Sequence, residues 1–376
     1  MSESAPSHLQ HLSVWLYDAL QRLYSATPYR LFKSGRAFPP WHYTLELTRR
    51  CNLRCRMCQY IHYLEETPGK EQREGELTTE EWRRVIDDTG GFSFITFTGG
   101  EPLVRTDFME LLAHASRKRH THYITNATLL DEASAGQSVA CAPKRPGGRG
   151  LNFIGVSLEG PQEVHDEIRQ QPGAFERASN GIKTINALRR DSGKQCPLIH
   201  ITTVIQQANV HVLHQMPEVV ASLGGDVLNL VTETRMHDVD GLGERPYDAI
   251  KAEEVTWPRI DRQALETAMD ATTAAAKKHH VEVRWPRMPR EELLRYYESK
   301  LNLTQYACRS PWNAVIIGRT GNVYPCWLYK AGNVRDISVK ALWNDEKMRQ
   351  FRQACRNHLF PVCPGCCFIE YAGEKR

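Results

Sequence analysis

Cys51, Cys55 and Cys58 stand in the run Cys51-Asn-Leu-Arg-Cys55-Arg-Met-Cys58, so one short loop carries three thiols. A C-x3-C-x2-C loop can grip three corners of a four-iron cluster and leave the fourth iron without a protein ligand. An open metal position is where a small molecule can bind and be activated. A structural zinc site would close that position with another Cys or His, and after Cys58 the first such residue is His62. The alternative is a zinc site completed by a distant residue.

A second set of thiols lies near the C-terminal end: Cys308, Cys326, Cys355, Cys363, Cys366 and Cys367. Gly321-Asn322 reads as a hairpin turn between Ala314–Gly318 and Val323–Tyr324, which puts Cys308 and Cys326 near the base and exit of one hairpin. Cys363-Pro-Gly-Cys366 adds a C-x2-C turn. Four thiolates suit tetrahedral zinc as well as a cluster, and Cys355 or Cys367 can replace one of the four. Cys141 and Cys196 read as ordinary semi-buried residues.

Elements must position these loops. Tyr43–Thr48 reads as a strand leading straight into the first cysteine loop. Further strands are predicted at Phe94–Thr98, His122–Asn126, Phe153–Leu158, Ile199–Ile205 and Val227–Val231. Helices fall between or after them at about 78–88 (capped by Thr78 or Thr79), 106–118, 130–140, 174–190, 211–222 and 261–279. Strand then helix, repeated six times, predicts a parallel sheet covered by helices, with too few units for a full eight-unit barrel. Pro143–Gly150 reads as an exposed loop. Glu233–Pro258 reads as a long loop leaving a strand end and facing substrate.

Ahead of the first strand, residues 8–25 read as an amphipathic helix striped by Leu9, Leu12, Leu16, Leu20 and Leu23. Packing against the barrel is the first expectation for that stripe. A membrane-surface contact is the second, because Arg22, Arg30, Lys33 and Arg36 follow or flank it. The expected domains are residues 1–41 (helix and linker), 42–285 (barrel) and 286–376 (cysteine-bearing unit).

Composition excludes several classes. Forty-eight basic against 44 acidic residues give a net charge of +4, too balanced to argue for nucleic acid. No apolar run approaches the length of a membrane span. No cleavable leader is apparent at Met1, so the eleven cysteines suggest metal binding in a reducing cytoplasm.

Taken in order, the motifs resemble the radical S-adenosylmethionine (radical SAM) superfamily over roughly residues 42–370. Gly99-Gly100-Glu101-Pro102 follows the apolar run Phe94–Phe97, as the family's glycine-glycine-glutamate element does. Val156-Ser157-Leu158-Glu159-Gly160, then His165-Asp166 and Arg169, resemble the strand-four segment of the SPASM/twitch subgroup, and Asn126 sits where that subgroup often ends strand three. The resemblance implies an α/β fold, a partial (β/α)6 TIM-like barrel with a C-terminal twitch (shortened SPASM) domain. It implies a cluster on Cys51, Cys55 and Cys58 that binds S-adenosylmethionine, and a second, auxiliary 4Fe-4S cluster on Cys308, Cys326, Cys363 and Cys366. No cysteine follows Cys367, so a second auxiliary cluster is not expected.

Several residues are then candidates for holding S-adenosylmethionine. Gly99 and Gly100 would let backbone approach its methionine amine, and Glu101 would accept from that amine. Ser157 and Asn126 would bond ribose hydroxyls or the carboxylate. Arg169 would pair with the carboxylate, unless it is a surface arginine of a charged helix. Met57 stands where the family often has an aromatic residue beside adenine. Arg49, Arg50, Arg54 and Arg56 would attract a reduced flavodoxin- or ferredoxin-type donor, or be solvated charge. Glu233, His237 and Asp238, beside Arg235 and Asp240, are general-base candidates in the long loop.

The reaction expected from the resemblance is hydrogen abstraction from a small molecule by a 5′-deoxyadenosyl radical. Electron transfer to the auxiliary cluster would make the outcome an oxidation or dehydrogenation. Maturation of a ribosomally made peptide or protein is the alternative, and a non-catalytic metalloprotein the remote one.

Overall fold

The computed structural model describes residue 20 and residues 22–234, 257–327 and 329–373. The chain runs β1 (His42–Glu46), α1 (Ile61–Glu66), α2 (Thr79–Asp88), β2 (Phe94–Thr98), α3 (Phe108–Ser116), β3 (His120–Thr125), α4 (Glu132–Ala140) and β4 (Gly150–Ser157). It continues with α5 (Gln162–Arg169), α6 (Ala174–Asp191), β5 (Leu198–Ile205), α7 (Met216–Leu223), β6 (Val227–Thr232), α8 (Arg262–His279), β7 (Glu282–Arg284) and α9 (Arg290–Tyr297). The C-terminal part adds β8 (Tyr306–Cys308), β9 (Ala314–Ile317), β10 (Asn322–Tyr324), β11 (Gly332–Asn333), α10 (Val339–Leu342), α11 (Glu346–Asn357) and β12 (Ile369–Tyr371).

β1 to β7 pair in sequence order and in parallel, from His42↔Phe94 at one end to Asn229↔Arg284 at the other. Sheet order is β11-β10-β9-β1-β2-β3-β4-β5-β6-β7, so the sheet stays open. The six expected strands are all present, and the fold is a partial (β/α)6 barrel. Alternation along each strand sets its two faces. Leu45, Ile95, Phe97, Tyr123, Ile154, Val156, Ile199 and Ile201 are fully buried in the main apolar core.

Intervening residues stack on one another instead. The His122 ring lies 4.2 Å from Phe153, and Phe153 lies 4.5 Å from His200. His42 reaches His122 through the Thr96 hydroxyl, at 2.5 and 3.1 Å. Burial holds these imidazoles neutral, lowering His42 to about 4 and, with Arg284 nearby, His200 to about 3.

Local chemistry fixes the helix starts. Thr78 and Glu81 form a capping box on α2. The Asp166 carboxylate accepts from Gly173 N and Phe175 N at 2.7 and 2.8 Å, tying α5 to the first turn of α6.

Two features depart from the sequence reading. The cysteine-bearing unit expected over 286–376 shares a sheet with the barrel: β9 pairs in parallel with β1, from His42↔Ala314 to Leu45↔Ile317. β1 would otherwise leave an unpaired edge, and Ala314–Ile317 is apolar and buried. The N-terminal helix, described over 22–31, also packs differently. Tyr24 and Tyr29 contact Trp41 and Trp312, whereas Leu20 and Leu23 of the predicted stripe face solvent.

Candidate functional site

The chain leaves β1 into the Cys51–Cys58 loop, leaves β2 at Gly99-Gly100 and leaves β3 at Asn126. Ser157 is the last residue of β4, and Arg169 ends α5. C-terminal strand ends of a parallel α/β sheet gather on one side, and here they enclose a cavity of about 230 Å³. Cys51, Cys55, Cys58, Gly99, Gly100, Asn126, Ser157, Arg169 and Met57 all line it. Thr98, Ile124 and Thr125 line it too, as do Gln59 and Tyr60. The sequence reading missed these five. Three sit at or next to strand ends, which was the available signal.

Each thiol is held by donors. Cys51 Sγ accepts from Leu53 N at 3.4 Å and from Asn126 Nδ2 at 3.8 Å. Cys58 Sγ accepts from Tyr60 N at 3.4 Å, and Cys55 Sγ from Arg169 Nη1 at 3.3 Å. Burial pushes the Cys51 thiol up to about 12 and raises Cys58 as well. Bare, these groups are thiols; a bound metal would deprotonate them. Donors aimed at all three sulfurs suit thiolates on an iron–sulfur cluster, whose charge such bonds offset. Among the described residues no three or more His, Cys, Asp or Glu are grouped so as to hold a single metal ion.

Arg169 is buried, not a surface arginine. Its second amino group donates to Glu159 Oε1 at 2.7 Å, and Glu159 Oε2 accepts from Val204 N at 2.9 Å. Burial opposes its charge, but Cys55 and Glu159 together hold its pKa above the ordinary arginine value. Glu159 itself is raised by burial despite Arg169. Arg169 thus ties the cysteine loop to the β4–β5 strand ends.

Glu101 does not line the cavity, whereas the two glycines line it and also have a structural role. Glu101 is fully buried and faces β3, not the cavity. Oε1 accepts from Leu103 N and the Thr125 hydroxyl, and Oε2 from Asn126 N at 2.7 Å. Burial raises its pKa to about 7. Gly99 has φ +148, and a Cβ there would lie 2.1 Å from Thr48 O; one at Gly100 would lie 2.3 Å from Arg50 O. The glycines therefore let the strand ends and the cysteine loop touch. Gly100 N donates to Thr48 O at 2.7 Å and Glu101 N to Arg50 O at 2.9 Å.

The arginines of the loop have internal work. Arg49 donates to Glu46, and Arg50 pairs with Glu76 at 3.1 Å. Arg54 caps the carbonyls of Cys51, Leu53 and Leu64. Arg56 is exposed and pairs with Glu167 at 2.9 Å.

In the second set, Cys308 ends β8 and Cys326 follows β10, while Cys363 and Cys366 flank a turn after α11. After burial, Cys326 and Cys363 are the largest causes raising the Cys308 thiol; Cys366 is raised first by its hydrogen-bonded neighbour Cys367 and by burial, and then by Cys326 and Cys308. The four expected thiols are near enough for their charges to act on one another. Cys355, on the buried face of α11, is raised by burial and then by Cys308, Cys326 and Cys363, so a fifth thiol stands beside them. Cys367 is exposed. Trp327, next to Cys326, packs on Tyr60 and Leu64 together with Cys51 and Cys58, so the two sites meet across one apolar contact.

Glu233, just past β6, is buried, and its N–H donates to the Tyr297 hydroxyl at 3.3 Å. It does not line the cavity. His237 and Asp238, with Arg235 and Asp240, lie outside the described residues. No described helix is long and apolar enough to cross a membrane.

Residues 45–205 match the radical SAM superfamily and residues 308–367 match SPASM, an iron–sulfur cluster-binding domain. An AdoMet-dependent heme synthase of Nitratidesulfovibrio vulgaris is 28% identical over 340 residues, covering 85% of each chain. The subtilosin biosynthesis protein AlbA of Bacillus subtilis is 25% identical over 380 residues, covering 96% of this chain and 75% of AlbA. Streptococcus suis SuiB bound to S-adenosylmethionine superposes with a TM-score of 0.61 at 16% identity, covering 90% of this chain and 73% of SuiB. That last likeness concerns the fold.

Proposed function

The chain belongs to the radical SAM superfamily and carries a SPASM domain, and from this we propose that it is an oxidative radical SAM enzyme acting on a small molecule. Membership brings a 4Fe-4S cluster with S-adenosylmethionine and an auxiliary iron–sulfur cluster. When loaded, these groups supply reductive cleavage of the sulfonium to a 5′-deoxyadenosyl radical and a one-electron acceptor.

The chain's own residues hold and orient. Cys51, Cys55 and Cys58 carry the first cluster, and Cys308, Cys326, Cys363 and Cys366 the auxiliary one. Arg169 and the Asn126 amide aim N–H groups at two of the three cluster-loop sulfurs. Asn126, Ser157 and the Gly99-Gly100 backbone face the cavity in which S-adenosylmethionine would lie. Glu101 positions Asn126 by accepting from its backbone N–H.

One observation carries the reading: three thiols, Cys55 buried and Cys51 and Cys58 half-buried, share a single cavity with the ends of β2, β3 and β4. The small-molecule class is supported by similarity to a heme synthase over 85% of each chain, so an iron-bound tetrapyrrole is the first substrate to test. A peptide is the second reading, favoured by the near-complete coverage of this chain by AlbA.

The test uses anaerobically reconstituted protein with S-adenosylmethionine and a reductant. Wild type forms 5′-deoxyadenosine, Cys58→Ser forms none, and Cys363→Ser still forms it but loses oxidised product. Wild-type protein that holds a four-iron cluster yet yields no 5′-deoxyadenosine would overturn the proposal. Turnover of a precursor peptide and of no tetrapyrrole would move it to the second reading.

A further inference from the structure

We propose that the outer face of the N-terminal helix is a docking surface for an anionic lipid bilayer. The inner face fixes its orientation. Tyr24 donates its hydroxyl to Pro39 O at 2.9 Å and packs against Phe38 and Trp41. Tyr29 meets Trp312 at 4.9 Å, and Arg356 donates to Phe32 O at 2.9 Å. With that side tied to α11 and to the segment before β9, the other side is held outward.

Leu20, Leu23 and Leu31 project from it at 56%, 65% and 69% exposure. They share one helical face, being three and then eight residues apart. Elsewhere among the described residues, exposed large apolar side chains are scattered, which is ordinary for a surface. In the sequence Leu9, Leu12 and Leu16 continue the same spacing.

Charge names the partner. Arg22, Arg30, Lys33 and Arg36 are exposed around the leucines, and the sequence from Ala19 to Leu45 has no Asp or Glu. None of the four cations is ion-paired to a described residue. Leucines with interspersed cations and no acid form the pattern of a helix lying in an interface, with leucine in the acyl boundary and Arg or Lys among anionic headgroups. Trp41 precedes β1, so this surface lies at the N-terminal strand ends, opposite the cysteine loop. Bound in this way, the protein turns its cavity away from the bilayer.

The test is flotation of full-length protein with vesicles containing phosphatidylglycerol, beside vesicles of phosphatidylcholine alone. Wild type should float with the first and not the second, and high salt should release it. Leu23→Gln/Leu31→Gln should weaken partitioning by about tenfold or more. Arg30→Gln/Lys33→Gln should weaken it about fivefold per cation removed. Circular dichroism and 5′-deoxyadenosine formation should stay unchanged, which separates this result from the fate of the catalytic reading. If wild type ignores phosphatidylglycerol vesicles, or the leucine variant floats as well as wild type, the proposal is overturned. In the first case an acidic protein surface becomes the occupant to seek.

Discussion

Arg169→Met should destabilise the metal-free chain by about 3–5 kcal/mol at pH 8, because it strands Glu159 buried without its cation. The pair is closed at 2.7 Å with both side chains under 10% exposed. Coulomb's law at an effective dielectric of about 20 gives roughly 6 kcal/mol of attraction at that distance. Val204 N still donates to the other carboxylate oxygen, so part of the anion's stabilisation survives.

The penalty must depend on pH. Burial holds the Glu159 pKa above its unfolded value even with Arg169 present. The native state therefore binds more of that proton than the unfolded chain, and stability falls as pH rises above about 4.3. Removing Arg169 raises this pKa further, so the decline becomes deeper and extends to higher pH. Urea melts of the metal-free variant should show a smaller deficit at pH 5 than at pH 8. Arg169→Met/Glu159→Gln should recover much of the loss, since no buried charge remains. A deficit below about 1 kcal/mol, equal at both pH values, or additive in the double variant, would refute the buried-pair argument.

Gly99→Ala should lower stability by at least about 2 kcal/mol and prevent cluster loading, because its Cβ would meet Thr48 O; melting and iron content report both. Gly136→Ala in α4, with nothing within 4 Å of the added carbon, should stabilise by about 0.5–1 kcal/mol in the same melt. Cys363→Ser should lower iron content by about one cluster while the Cys51–Cys58 cluster signal persists in electron paramagnetic resonance; an unchanged iron count would remove Cys363 from the ligands and point to Cys355. Asp166→Ala should cost about 1–2 kcal/mol by leaving Gly173 N and Phe175 N unpaired, and hydrogen exchange should speed locally at those amides.

The sequence by itself determined the cysteine loop and the six parallel strands. Both depend on chain-local spacing: C-x3-C-x2-C, and alternation along a strand. Gly99 and Gly100 were legible as positions intolerant of a side chain, yet the reason for it was not. The atoms a Cβ would strike belong to Thr48 and Arg50, about fifty residues earlier in the chain. Likewise the sequence placed Arg169 near the site but left open whether it was solvated, since its partners Cys55 and Glu159 come from two other segments. Which way Glu101 turns was decided by donors of β3. The union of β9 with β1 was decided by an open edge that local pattern does not reveal. Which face of the N-terminal helix is buried followed from Trp41 and Trp312, brought to it by the sheet. Spacing along the chain sets which groups can act together, but burial, partner and orientation arise from contacts between distant segments and exist only once the open sheet and its helices have assembled around them.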